Sequence, residues 1–339
     1  MASLDHRVVH IFRSIRFAAG LVRTQIQPWH MVMMVLLLSG VIAIAVSAIA
    51  VPDAQLTHSV SISSPIQTKA SEALILPTPA PYPRRKEFSA EPPALTARSA
   101  IAIDVDSAVN LYKKNETMQL WPASTTKVMT AVVALDAYDL DEIVIVKDPL
   151  TEGSVMGLVD SEQISVEHLL YGVLIQSAND AAYVLATHHS EGMAGFVDQM
   201  NRKAREIGLE NTHYVDPAGF DNEKQFTTVA DLARLSSYAL QYKTIEKMVG
   251  IPAITVSDAT FQHFHALRNV NQLLGSVPGV AGVKTGWTEN AKENLINLTI
   301  RNGHRVLTVV LGSDDRFGET VTLTEWVYSS HDWDVIATE

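Results

Sequence analysis

Twenty-one consecutive residues, Met31 to Val51, carry no charge, and this run divides the chain. A helix of that length crosses a bilayer core of about 30 Å, so the stretch is expected outside any water-soluble core. Ahead of it lie Arg7, Arg13, Arg16 and Arg23 against Asp5 alone, a net charge of +3. Arginines before the span and none just after it orient the N-terminus to the cytoplasm and the remainder to the far side. Ala48-Ile49-Ala50 also offers a small-residue cleavage site. The long leader and long span favour a retained single-pass anchor in the cell membrane. Cleavage at Ala50 would leave a secreted protein instead.

Residues 52–98 change character: eight of the fourteen prolines fall there, with Pro77, Pro79, Pro81 and Pro83 at every second position. Such a segment buries too little apolar surface to offset its ordering and is expected to be an extended or disordered stalk. The expected organisation is therefore a basic cytoplasmic N-terminus (1–30), a transmembrane signal-anchor (31–51), a proline-rich stalk (52–98), a folded domain (99–330) and a C-terminal tail (331–339).

Charge and composition narrow the partners. The chain carries −11 overall, so removing the +3 leader leaves −14 on the remainder, which argues against nucleic acid as a ligand. Cysteine is absent, which excludes thiol nucleophiles, disulfides and thiolate zinc sites. Twelve histidines include His188-His189 and His263-x-His265 but no H-E-x-x-H, so they read as satisfied or surface groups. Neither a metal site nor a cofactor is expected.

The pattern of the folded part is mixed. Ala100–Asp104 reads as a strand with Val109–Tyr112 as its hairpin partner, and Ile143–Val146 as a short β-branched strand. From Val166 to about Leu240 the pattern is largely helical, and Asp180 reads as a helix cap. Leu295–Ile300 and Val306–Leu311 flank Asn302-Gly303, the strongest short hairpin signal, and a closing helix fits Thr320–Val327. N-terminal and C-terminal strands would then form one mostly antiparallel sheet around a helical insertion.

The chemistry starts at Pro122-Ala123-Ser124-Thr125-Thr126-Lys127. Lys127 stands three positions after Ser124, so on a helix both side chains share one face. A serine hydroxyl needs a base within reach, and lysine serves only if burial or a neighbouring cation lowers its pKa. Taken alone S-x-x-K is common. Two further stretches change its meaning: Ser177-Ala178-Asn179 between apolar helical runs, and Lys284-Thr285-Gly286 in a strand-like segment ending at Trp287. The order S-x-x-K, S-x-N, K-T-G belongs to penicillin-binding enzymes and serine β-lactamases. With Gly208-Leu209-Glu210-Asn211-Thr212-His213, Asp216-Pro217-Ala218-Gly219 and Asn269-Val270-Asn271, the sequence over roughly residues 99–325 resembles the D-alanyl-D-alanine carboxypeptidases of the S11 peptidase family, low-molecular-mass penicillin-binding proteins.

That resemblance implies an α+β sandwich fold of the β-lactamase/DD-peptidase type, a five-stranded mostly antiparallel sheet with helices on both sides. It implies removal of the terminal D-alanine from peptidoglycan stem peptides through an acyl-enzyme on Ser124, with β-lactams as covalent inhibitors. Lys127 would be the acylation base, its pKa lowered by a nearby Lys284. Ser177 would relay the proton and Asn179 hold the Lys127 ammonium and the substrate amide. The backbone N–H groups of Ser124 and Trp287 would form the oxyanion hole. Lys284, Thr285 and Gly286 would meet the substrate carboxylate, and Arg316 falls near a carboxylate-binding arginine of relatives, with a surface salt bridge to an aspartate as the alternative.

The sequence departs from the family in two places. Ala291 is followed by Lys292 where a glycine is common, which puts the local strand geometry and substrate choice in question. The 28 residues after Leu311 are too few for the C-terminal β-rich domain and amphipathic helix that relatives carry, so the anchor is expected at the N-terminus. A D,D-endopeptidase acting on cross-links keeps the same residues. A class A β-lactamase is disfavoured because no glutamate between Ser177 and Lys284 precedes an asparagine by four residues. A non-catalytic wall-binding protein is disfavoured by the intact motifs. If the anchor is retained, protease added to intact spheroplasts releases a soluble domain of roughly residues 90–339; a mature N-terminus at Val51 would show cleavage instead.

Overall fold

The computed structural model describes residues 82–334. The span at 31–51 and the leader before it lie outside the described residues, and among those described no helix is long and apolar enough to cross a membrane.

The elements run β1 (Tyr82–Arg85), β2 (Ser99–Asp104), β3 (Asn110–Lys114), a 3₁₀ turn (Ala123–Thr126) and α1 (Lys127–Ala137). After β4 (Ile143–Ile145) and β5 (Gln163–Ser165) come α2 (Val166–Tyr171), a π turn (Gly172–Gln176), α3 (Asn179–His188) and α4 (Gly192–Glu206). Then follow α5 (Val229–Ala239), α6 (Lys243–Val249) and the hairpin β6 (Ala253–Ser257) and β7 (Phe264–Arg268). The chain closes with β8 (Val280–Thr288), β9 (Lys292–Arg301), β10 (His304–Ser313), α7 (Arg316–Ser330) and β11 (His331–Asp334).

The expected sheet is present: five strands in the order β3-β2-β10-β9-β8, every pairing antiparallel. Asn302 and Gly303 both take positive φ, 51° and 82°, as a two-residue hairpin between β9 and β10 requires. The near-continuous apolar run in β10 is explained by a core on each face. Leu307 and Val309 join Ile101, Ile296 and Leu298 against the helical lobe, whereas Val306 and Val310 join Ala100, Ala102 and Leu295 against Leu323, Trp326 and Val327 of α7. A strand covered on both faces loses its polar alternation.

Two expectations need correction. The stalk does not extend to residue 98. β1 pairs with β11, Leu95 and Ala97 are buried against the α7 side, and the Glu319 carboxylate accepts the Thr96 and Ala97 amides. Proline content hid this because the segment packs by backbone pairing and a few small apolar residues. For the same reason residues 331–334 are a strand, not a tail. The stretch from Val166 to Leu240 is largely helical as expected, interrupted by an irregular loop at 207–228 that reaches the Ser124 turn. Residue Gln163–Ser165 and the β6–β7 hairpin also escaped the periodicity reading, being too short to show it.

Glu319 also accepts the Ser313 hydroxyl, so one carboxylate ties α7, β10 and the entering segment together. Glu319→Ala leaves the buried Ala97 amide unpaired and should destabilise the domain by about 1–3 kcal/mol in urea unfolding; a loss below about 0.5 kcal/mol would mean that water replaces the carboxylate without cost.

Candidate active site

β8 is the last strand of the sheet, and the 3₁₀ turn that carries Ser124 packs on the face that β8 shares with β9. The approach is close because Gly286 has no side chain: a Cβ there would stand 3.1 Å from the Ala123 Cβ, the Pro122 carbonyl oxygen and the Ser124 nitrogen alike. Asn294, opposite Gly286 in β9, donates to the Trp121 and Pro122 carbonyls at 3.0 and 3.1 Å and so locks the same turn to the sheet.

Ser124 belongs to the 3₁₀ turn, not to α1, which begins at Lys127. The two side chains still meet, with Lys127 Nζ 3.1 Å from Ser124 Oγ. Lys127 Nζ also donates to Asn179 Oδ1 and to the Ala218 carbonyl, each at 2.7 Å. Its side chain is fully buried. Burial disfavours the ammonium and pushes its pKa down to about 7, with the carboxylates of Asp216 and Asp180 pulling the other way. This differs from the expected cause. Repulsion between the two lysines registers on Lys284, which burial, then Lys127, then Arg316 push well below the ordinary lysine range.

Ser177 reaches the cleft through an unusual turn. The π turn ends there, and Ser177 takes a left-handed conformation with φ 63° before the extended Ala178 and the start of α3. That conformation is costly for a residue with a Cβ. It places Ser177 Oγ as the acceptor from Lys284 Nζ at 2.7 Å, and Lys284 also donates to the Thr285 carbonyl at 2.9 Å. Asn179 is held by its own Nδ2, which donates to the Glu152 carbonyl. Asp180 is not a helix cap; its buried carboxylate accepts the amides of Met156, Gly157 and Leu158 and fixes the loop over Asn179.

Ser124, Ser177, Asn179, Thr285, Gly286, Trp287 and Arg316 line one cleft of about 460 Å³, while the amines of Lys127 and Lys284 reach it from beneath. The Trp287 side chain is 61 % exposed at the mouth. Arg316 makes no salt bridge to an aspartate among the described residues. It is the first residue of α7, its Nη1 donates to the Gly286 carbonyl at 2.9 Å, its backbone amide donates to Glu293, and its Nε is buried without a partner among the described residues. Lys292 leaves the strand intact. It carries the positive φ (58°) that a glycine would supply, points to solvent, and pairs with Thr288 at the end of β8. Sequence reasoning missed the contribution of the 216–221 loop. Its only signal was the D-P-A-G turn, which marks a turn but not what the turn touches.

A sheet edge facing a helical lobe, with a serine–lysine pair on either side of the cleft, defines the serine DD-peptidase fold. The crystal structure of the Streptomyces K15 DD-transpeptidase superposes with a TM-score of 0.67 at 29% identity, covering 70% of this chain and 99% of that one. The family described as Peptidase S11, D-alanyl-D-alanine carboxypeptidase, matches residues 86–315, and the chain belongs to it. The D-alanyl-D-alanine carboxypeptidase DacF of Bacillus subtilis is 32% identical over 246 residues, 70% of this chain and 63% of that protein. A D-alanyl-D-alanine endopeptidase of Pseudomonas aeruginosa is 33% identical over 243 residues, 69% of this chain and 77% of that protein. The chain thus spans just under two thirds of the length of the Bacillus relative.

A proton removed from Ser124 by Lys127 requires the neutral amine, which predominates above about pH 7. Acylation of Ser124 should therefore fall about tenfold per unit below that pH and level off above it, as rapid-mixing measurements with a chromogenic β-lactam will show.

Proposed function

We propose that this protein is a serine-type D-Ala-D-Ala carboxypeptidase that removes the terminal D-alanine from peptidoglycan stem peptides. The observation that carries this reading is the buried Lys127 amine 3.1 Å from Ser124 Oγ, with Lys284 on Ser177 across the same cleft. Lys127 takes the Ser124 proton as Oγ attacks the penultimate carbonyl. The oxyanion forms against the backbone N–H groups of Ser124 and Trp287, a type of donor whose loss costs about 3–4 kcal/mol. The proton passes through Lys127 and Ser177 to the leaving amine, D-alanine departs, and water hydrolyses the acyl-enzyme.

Thr285 and Arg316 line one end of the cleft with Lys284 behind them, and together they receive the substrate's terminal carboxylate. Gly286 serves there by letting β8 approach the nucleophile. β-Lactams enter as substrate-like acylating agents and remain on Ser124. The uncharged run at 31–51 anchors the domain on the extracytoplasmic side of the membrane in this reading. Cleavage of cross-links is the second reading, favoured by the similarity to the Pseudomonas endopeptidase.

Labelled penicillin should attach to the wild type and not to Ser124→Ala, and label on the variant would overturn the assignment. Charge-assisted bonds contribute about 1.5–3 kcal/mol each, so amidating the terminal D-alanine should cut kcat/KM by roughly ten- to a hundredfold. Indifference to amidation would favour the endopeptidase reading.

A further inference from the structure

The loop that meets Lys127 is built by one carboxylate outside the three motifs. Asp216 Oδ1 accepts the amides of Ala218 and Gly219, each at 2.7 Å, and that of Phe220 at 3.4 Å. Pro217 between them has no N–H, so the carboxylate meets the amides beyond it. Asp216 Oδ2 accepts from Gln225 Nε2 at 2.7 Å, and the same Gln225, fully buried, receives the Val215 and Asp216 amides through its Oε1.

This turn rests directly on the nucleophile. Gly219 has φ 93°, and a Cβ there would overlap the Ala123 carbonyl oxygen at 1.9 Å, which only a glycine avoids. From the other side α1 grips two consecutive carbonyls. Thr130 Oγ1 donates to Pro217 O at 2.6 Å, and Lys127 Nζ, one turn earlier, donates to Ala218 O at 2.7 Å. The carbonyl that orients the amine is thus set by the Asp216 turn.

We propose that Asp216 is a positioning residue for acylation, holding the Ala218 carbonyl on Lys127 and supplying the negative charge that keeps this buried amine basic enough to accept the serine proton. The inference rests on the reading of Lys127 as the base. The charged groups facing Lys127 are few. Lys284 lies near it on β8, Asp180 supports it from α3, and Asp216 supports it from the loop, the larger influence of the two carboxylates. Asp180 is committed to four amides, those of residues 156–158 and its own helix at Ala181. Glu152 meets the site only through its main-chain carbonyl on Asn179. Lys127's own turn contributes a hydroxyl and no charge.

Asp216→Asn keeps an oxygen for the three amides and removes the charge. An opposite charge nearby moves a pKa by about one unit or more, so the acid limb of the acylation rate should shift down by about one pH unit in the variant. The rate on the plateau should fall, because a weaker base takes the proton less readily. The probe is a chromogenic β-lactam in rapid-mixing measurements, with the melting temperature followed in parallel. Asp216→Ser, whose hydroxyl also accepts turn amides, reports the same shift if the Asn variant does not fold. An acid limb that stays at the wild-type pH while the plateau drops overturns the electrostatic role and leaves Asp216 a structural residue. A wild type with no acid limb overturns the reading of Lys127 as base and this proposal with it.

Discussion

Everything at the cleft depends on keeping one amine out of water. A lysine in solvent is protonated near neutral pH and is no base. Lys127 is at the foot of α1, enclosed by the helical lobe, the 216–221 loop and β8, so its charged form is disfavoured without any neighbouring cation. The amine is not left unpaired: Ser124, Asn179 and the Ala218 carbonyl surround it. Burial lowers the pKa to about 7 against the opposing pull of the two carboxylates.

The rest of the domain can be read as the means of closing that enclosure. The central sheet ends in β8, an edge strand that presents Gly286 to the nucleophile turn and Lys284 to Ser177. Gly286 permits contact at the distance where any side chain would intrude, and Asn294 pins the turn from behind. The helical lobe brings up Ser177 and Asn179 through a π turn ending in a left-handed serine. Non-glycine residues in such conformations persist only where the surroundings over-determine them. Here the Asp180 loop clamp and the Lys284–Ser177 bond do so.

Much of the site was legible because its chemistry is local in sequence. A spacing of three puts Ser124 and Lys127 together on either a 3₁₀ turn or an α-helix, so the pair survived an error about which of the two it occupies. The three motifs in order tied the remaining residues to the same site through resemblance. Arg316 was less legible because a lone arginine after Asp314-Asp315 reads equally well as a surface ion pair; only the packing of α7 on β9 and β10 brings it to the Gly286 carbonyl. Asp180 was invisible as a site residue because it gathers the backbone amides of another segment, and Asp216 because its own turn does not reveal the lysine it meets.

The sequence by itself determined the division into an uncharged span, a proline-rich stretch and a folded domain, the hairpin at Asn302-Gly303, and the Ser124–Lys127 pair. These follow from hydropathy, turn chemistry and short spacings, which need no knowledge of distant residues. Tertiary structure decided where the domain begins, because β1 and β11 pair across almost the whole folded chain. It also decided why Lys127 is a base. Desolvation depends on what closes over a side chain, and here the covering segments lie 52 and 91 residues away, at Asn179 and Ala218.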